Sequence, residues 1–218
     1  MNCYLCDSHM PLQVTWRSIF FNELEEVICK RCRNSFERTV AGCPLCSARV
    51  EGKCLDCCEW ETTEYKGIID SGKSLYHYNS AMKEYLHQYK FLQDVALSEV
   101  FATLLKEQLR DHSSVIVPIP MNEAKLKVRT FSQVDRLLDA ASIPYTHLLG
   151  KSEVGIGDKP KLERMALQDV FWWNGKPVPE KILLFDDVYT TGSTMRLAAK
   201  VLKDKGAKEI KMMTLIRA

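Results

Sequence analysis

The sequence predicts an α/β fold: a parallel, doubly wound sheet flanked by helices, preceded by a small cysteine-rich module. Three observations carry this. All nine cysteines of the 218-residue chain fall between Cys3 and Cys58. Beyond them, short apolar runs suited to buried strands alternate with segments of helical period, the pattern of a parallel sheet. One of those runs, residues 182–185, leads into two carboxylates and a turn rich in hydroxyls.

Composition narrows the class further. Hydrophobic residues make up 46% and charged residues 27%, which excludes a disordered chain. No apolar run approaches the ~18 residues of a membrane helix, so no membrane insertion is expected. The first residues have no basic start followed by an apolar stretch, so no signal peptide is expected and the compartment is read as reducing and cytoplasmic. Residues 1–60 hold 7 basic against 8 acidic side chains, and residues 61–218 hold 23 against 20. Neither part is basic enough to grip a duplex by charge alone.

The cysteines form four C-x-x-C pairs: Cys3 with Cys6, Cys29 with Cys32, Cys43 with Cys46, and Cys54 with Cys57. Each pair turns two thiolates to one side of a tight turn, and two pairs complete the tetrahedral sulfur shell of structural zinc. Four pairs in so short a segment, in a reducing compartment, favour metal over disulfides or redox pairs. The simplest arrangement is two neighbouring sites, Cys3, Cys6, Cys29, Cys32 and Cys43, Cys46, Cys54, Cys57. Cys58 in place of Cys57, or one vacant site, stays open. A closed Cys₄ site leaves no coordination position for chemistry, so the zinc, one or two ions, is read as structural. Residues 1–58 have few large aliphatics, and ligation supplies what a core does not. Trp16, Phe20, Phe21, Lys30, Arg31 and Arg33 could meet a partner, or pack around the metal turns.

Residues 61–218 read as the second domain. Residues 59–73 are polar and serve as a link, and 74–78 alternate like a short strand. Asn79 suits the cap of a helix with Met82, Tyr85, Leu86 and Tyr89 on one face. Residues 95–109 read as a second amphipathic helix. Residues 115–120, Val-Ile-Val-Pro-Ile-Pro, are a buried strand ending in a rigid turn. A helix over 131–141, a strand over 145–149 and a loop over 151–161 follow. The last elements are a strand over 181–185, a helix over 195–205 stopped by Gly206, and a strand over 210–216.

The chemistry concentrates at Asp186 and Asp187, followed by Thr190, Thr191, Gly192, Ser193 and Thr194. Ligands of open α/β sheets sit beyond the carboxyl ends of strands. Free N–H groups at a helix start, helped by hydroxyls, suit a phosphate, and Gly192 lets the backbone come close. Two carboxylates beside that phosphate need partners of their own, either a ribose diol or a Mg²⁺ ion. A sugar 5-phosphate satisfies both halves.

At these residues the chain resembles the type I phosphoribosyltransferases. The layout as a whole is similar to the ComF family of late-competence proteins, which joins an N-terminal double zinc-ribbon-like module to a phosphoribosyltransferase-like sheet. The resemblance spans nearly the whole chain: the cysteine pairs, the Val-Pro-Ile-Pro turn, Arg129, Phe131 and Gln133, and the acidic motif follow the family's order. It implies that Asp186 and Asp187 hold the ribose hydroxyls of phosphoribosyl pyrophosphate, with Mg²⁺, and that the loop from Thr190 to Thr194 takes the 5-phosphate. It implies that Pro118, Ile119 and Pro120 begin the pyrophosphate loop, and that Lys90 and Arg129 occupy basic positions of the family, Arg129 with Asp186 and Asp187 in the catalytic set. It further implies a role in DNA uptake, with weak single-stranded DNA binding and a competence helicase or ATPase as partner. The chain departs from the family at Thr130 and Ser132, where Gly and Asn are usual, and near residues 159–164. These regions would position a second reactant, so ligand binding is expected ahead of turnover. An active Mg²⁺-dependent transferase with an unknown acceptor is the alternative.

Residues 67–74 also match the P-loop pattern G-x-x-x-x-G-K-[ST]. A P-loop needs a buried strand before it and a helix after it. Here a polar stretch precedes and an alternating, strand-like stretch follows, so an NTPase is disfavoured.

Overall fold

The computed structural model describes residues 1–11, 26–110, 113–152 and 170–218. Their elements are α1 (Lys30–Ser35), α2 (Leu55–Trp60), β1 (Ser71–His77), α3 (Ser80–Lys90), a 3₁₀ helix (Val95–Phe101) and α4 (Ala102–Leu109). There follow β2 (Val115–Pro118), α5 (Glu123–Arg129), α6 (Gln133–Ala140), β3 (Leu149–Lys151), β4 (Phe171–Trp173), β5 (Lys181–Tyr189), α7 (Ser193–Asp204) and β6 (Glu209–Arg217). Four strands form one parallel sheet in the order β1-β6-β5-β2, the expected α/β architecture. No described helix is long and apolar enough to cross a membrane.

Both faces of the sheet are covered, which is why β2 and residues 182–185 of β5 form unbroken apolar runs. Leu183 and Phe185 of β5 join a core with Tyr85 and Tyr89 of α3, Leu97 and Phe101 of the 3₁₀ helix, and Leu137 and Leu138 of α6. Ile182 and Leu184 point the other way, into a core with Leu197, Ala198 and Leu202 of α7. The two cysteine groups divide likewise. Cys3 belongs to the first core, and Cys43, Cys46, Cys54 and Cys57 belong to the second. Backbone bonds tie the cysteine-rich segment to the edge strand: Thr39 N donates to Leu75 O at 3.0 Å, and His77 N to Glu37 O at 2.8 Å.

Several local expectations hold. The Asn79 side chain accepts from Met82 N at 2.9 Å, and α3 buries Met82, Tyr85, Leu86 and Tyr89. Gly206, at φ 107°, follows α7 in the left-handed region that glycine favours. Gly72, Lys73 and Ser74 lie inside β1, so a strand follows the Lys-Ser pair where a P-loop requires a helix.

Others are corrected. Residues 95–109 are not one α-helix: a 3₁₀ turn capped by Asp94 runs to Phe101 before α4 begins. The helix expected over 131–141 starts at Gln133, where the Ser132 side chain caps it, accepting from Asp135 N. The strand expected over 145–149 contributes only one backbone bond to β2, Thr146 N to Ile116 O at 2.9 Å. Its chain becomes β3 at Leu149 and pairs antiparallel with β4 outside the main sheet. Lys151, placed in a loop by sequence, is the last residue of β3, whereas residues 153–161 of that loop, residues 162–164, and Trp16, Phe20 and Phe21 lie outside the described residues. Helix α5 buries no residue, so hydrophobic period gave no sign of it.

Candidate functional site

β5 outlasts its neighbour β2. Their pairing stops at Pro118 opposite Phe185, while β5 stays paired with β6 through Tyr189 opposite Arg217. The strand expected over 181–185 runs on to Tyr189, so Asp186 and Asp187, expected at its C-terminal end, sit within its last residues. They lie where one flank has opened, at the carboxyl edge. Ile119 N donates to Phe185 O at 2.9 Å, which sets the Pro118–Ile119–Pro120 turn beside Asp186. The chain then enters α5, where the Asn122 side chain accepts from Lys125 N at 2.9 Å.

The acidic pair is unequally served. Lys90, at the end of α3, forms a largely buried ion pair with Asp187. Asp186 accepts from the Asp187 amide at 2.9 Å. Burial, reinforced by the Asp187 charge, pushes Asp186 up to about 7, with Lys151 and Lys90 opposing. Burial in turn draws Lys151 below the usual lysine range, against the pull of Asp186. Lys151, whose Nζ lies 5.1 Å from the Phe171 ring centre, is thus within electrostatic reach of the acidic pair, a role that sequence reasoning missed because the residue stood in an apparent loop. Two crowded carboxylates, one with a proton affinity near neutrality, are a donor set suited to a divalent cation or to paired hydroxyls.

The loop after β5 is held from behind. Thr191 Oγ1 and Ser193 Oγ are 2.9 Å apart. Gly192 has φ 80°, and a Cβ there would collide with Arg196 Nη1 and the Tyr189 hydroxyl, so glycine is required. Thr190 is exposed, and Thr191 and Thr194 are half-buried. Sequence reasoning also missed Trp60, Tyr189 and Arg196, which support this loop. The one available signal was an arginine four residues after Gly192, set among Met195, Leu197, Ala198 and Ala199.

Arg129 sits elsewhere on the rim. Its guanidinium donates to Gln133 Oε1 at 3.0 Å and lies 5.7 Å from the Phe91 ring centre, on the residue that follows Lys90.

The cysteines form two tetrads, Cys3, Cys6, Cys29, Cys32 and Cys43, Cys46, Cys54, Cys57, the sulfurs of each within 4.8 Å of one another. Cys58 is exposed and turned to Lys53 O at 3.6 Å, so Cys57 and not Cys58 completes the second set. The nine thiols form no disulfide. A hydrogen bond from Ser8 brings Cys6 down to about 5, and burial pushes Cys32 well up. Four sulfurs gathered this closely without a disulfide form an all-sulfur tetrad that fits zinc. Lys30, Arg31 and Arg33 are exposed around the first tetrad.

Comparison with known proteins bears on this architecture directly. The chain is 35% identical over 223 residues to the competence protein ComFC of Streptococcus pneumoniae, covering all of both chains. The chain belongs to the ComFC family of competence proteins. ComFC of Bacillus subtilis is 33% identical, over 99% of this chain and 95% of its own. Competence protein F of Haemophilus influenzae is 23% identical, over 88% and 90%. Residues 175–218, which contain the acidic pair and the hydroxyl loop, match the phosphoribosyl transferase domain model. This ComFC-family chain thus joins two cysteine tetrads to a phosphoribosyltransferase-like sheet.

Proposed function

We propose that this chain binds phosphoribosyl pyrophosphate, or a closely related sugar phosphate, together with Mg²⁺, and uses that site while handling incoming single-stranded DNA during competence. The observation that carries the reading is the placement of Asp186 and Asp187 at the carboxyl edge of β5, directly before the Thr190–Thr194 loop and beside the Pro118–Pro120 turn. Asp186 and Asp187 would accept hydrogen bonds from the ribose hydroxyls, and the loop hydroxyls and helix-start amides would take the 5-phosphate. Lys90 fixes Asp187 and, with Lys151, offsets negative charge at the site. Mg²⁺, when bound with the ligand beside these carboxylates, would neutralise pyrophosphate charge. The protein's own part is positioning and preorganised charge.

The DNA part rests on the relatives' names, which speak of competence and, for YhgH of Salmonella typhimurium, of DNA utilization. It draws support from the surface of α5. Lys125 and Lys127 are exposed there, and Arg129 lies over Phe91, which is 65% exposed. A cation on an open aromatic ring suits base stacking and backbone contact with a single strand. Binding should be weak and fall with salt. A helicase or ATPase of the uptake machinery is the partner class, and the cytoplasm the compartment.

Isothermal titration with phosphoribosyl pyrophosphate plus Mg²⁺, ATP, and single-stranded DNA, run in parallel, tests the reading. Heat with the first and third supports it. Binding of ATP alone overturns it.

A further inference from the structure

The second cysteine tetrad and the phosphate loop share a set of direct contacts. Arg196, buried in the first turns of α7, donates from Nη1 to the Tyr189 hydroxyl at 2.9 Å and to Gly192 O at 3.3 Å. Its other terminal nitrogen, Nη2, lies 3.9 Å from Cys57 Sγ. The guanidinium stacks 4.9 Å from the centre of the Trp60 ring, and Trp60 Nε1 donates to Thr191 O at 2.7 Å. Tyr189 closes the circuit, its hydroxyl 3.6 Å from Cys57 Sγ.

We propose that Arg196 and Trp60 are positioning residues that tie the Thr190–Thr194 loop to the second metal centre, so that a filled centre holds the loop in its anion-binding shape.

Four thiolates around one Zn²⁺ leave a net charge of −2, and a buried charge of that size needs counter-charges. Arg196 supplies one, and its Nη1 bonds the Tyr189 hydroxyl at the end of β5 and Gly192 O in the loop. A trans peptide points its N–H opposite to its C=O. Anchoring the carbonyls of Thr191 and Gly192 toward Trp60 and Arg196 therefore turns the amides of Gly192 and Ser193 away from the tetrad. Those are the donors an anion would use. The absence of a Cβ at Gly192 leaves the loop seated directly on the guanidinium. Arg196 cannot move without moving the loop. The first tetrad packs into the core on the other face and serves as an internal control.

The sugar-phosphate reading enters only through the ligand measurements, so hydrogen exchange tests the coupling independently. Full-length, zinc-loaded protein is compared with Trp60→Phe, Arg196→Met, Cys57→Ser and Cys6→Ser. Amides of 190–194 should exchange at least tenfold faster in the first three variants and at the wild-type rate in Cys6→Ser. Phosphoribosyl pyrophosphate affinity should fall at least tenfold in the same three. With Co²⁺ in place of zinc, adding phosphoribosyl pyrophosphate should shift the thiolate-to-cobalt bands of the wild type and leave those of Arg196→Met unmoved. Wild-type exchange rates in Trp60→Phe, which keeps every metal ligand, overturn the proposal, as do wild-type rates in Cys57→Ser that has lost one zinc. If Cys57→Ser does not fold, Trp60→Phe and the cobalt spectra decide. Wild-type protein that binds no phosphoribosyl pyrophosphate, yet shows the exchange pattern, refutes the ligand and leaves the coupling standing.

Discussion

Lys90 closes an ion pair on Asp187, while its neighbour Asp186 takes a hydrogen bond from the Asp187 backbone. The pair joins the end of a helix on one face of the sheet to the open flank of β5. It gives two adjacent carboxylates different duties: Asp187 is neutralised in place, and Asp186 carries the charge left to answer. Lys90→Met leaves Asp187 largely buried without its ammonium, so stability should fall by about 1–3 kcal/mol. Urea titration of the ligand-free protein checks this, and an unchanged midpoint would show the pair to be idle.

Asp186 makes stability depend on pH. Its value of about 7 in the fold lies above the 3.8 of a free side chain, so the fold favours the protonated form. That contribution is fully present below the unfolded value and is lost as pH rises through 7. Asp186→Asn removes the penalty. Its gain over wild type should grow from pH 5 to pH 7.5 and level off on the order of 1–2 kcal/mol, allowing for partial exposure. A gain independent of pH would assign the effect to something other than ionisation.

Ligand binding should show the opposite slope. If Mg²⁺ and ribose hydroxyls need the Asp186 carboxylate, affinity for phosphoribosyl pyrophosphate should rise about tenfold from pH 6 to pH 8 as one proton is lost. Asp186→Asn with Asp187→Asn should lose about 3 kcal/mol or more of binding, the worth of two charge-assisted hydrogen bonds. Because the double change also strands Lys90, Asp186→Asn alone is the cleaner probe. Thr191→Val should weaken the same ligand from its phosphate end, with the Mg²⁺ dependence intact. Titration calorimetry at several pH values separates these outcomes.

Gly192→Ala should be costly. Its φ of 80° and the atoms facing an added Cβ, Arg196 Nη1 and the Tyr189 hydroxyl, allow no relaxed side chain. A loss of about 1–3 kcal/mol in thermal or urea unfolding is expected. Gly175, also at positive φ but in open space, is the matched control and should lose less.

Metal analysis of protein prepared without chelator should find two zinc ions per chain, one for each tetrad. Cys6→Ser and Cys57→Ser should each lower the count by one, and Cys58→Ser should leave it unchanged, since Cys58 points away. A count that falls with Cys58→Ser would reverse the assignment of the second tetrad.

What the sequence determined by itself was whatever depends on near neighbours. The C-x-x-C turns, the Asn79 cap, the one-sided apolar period of α3 and the acid-hydroxyl motif after a β-run all act within a few residues, so pattern alone reveals them. Tertiary structure decided the rest, because distant groups compete for the same partner. Only folding chose Cys57 over Cys58, since Cys57 lies in the second core against Tyr189 and Arg196. Only the pairing of β5 with β6 shows that Asp186 remains in a strand while its other flank opens. The bond from Trp60 to Thr191 spans 131 positions, and no local pattern marks either end. A buried carbonyl or thiolate must find a donor wherever the packed chain supplies one, and which one is a property of the fold.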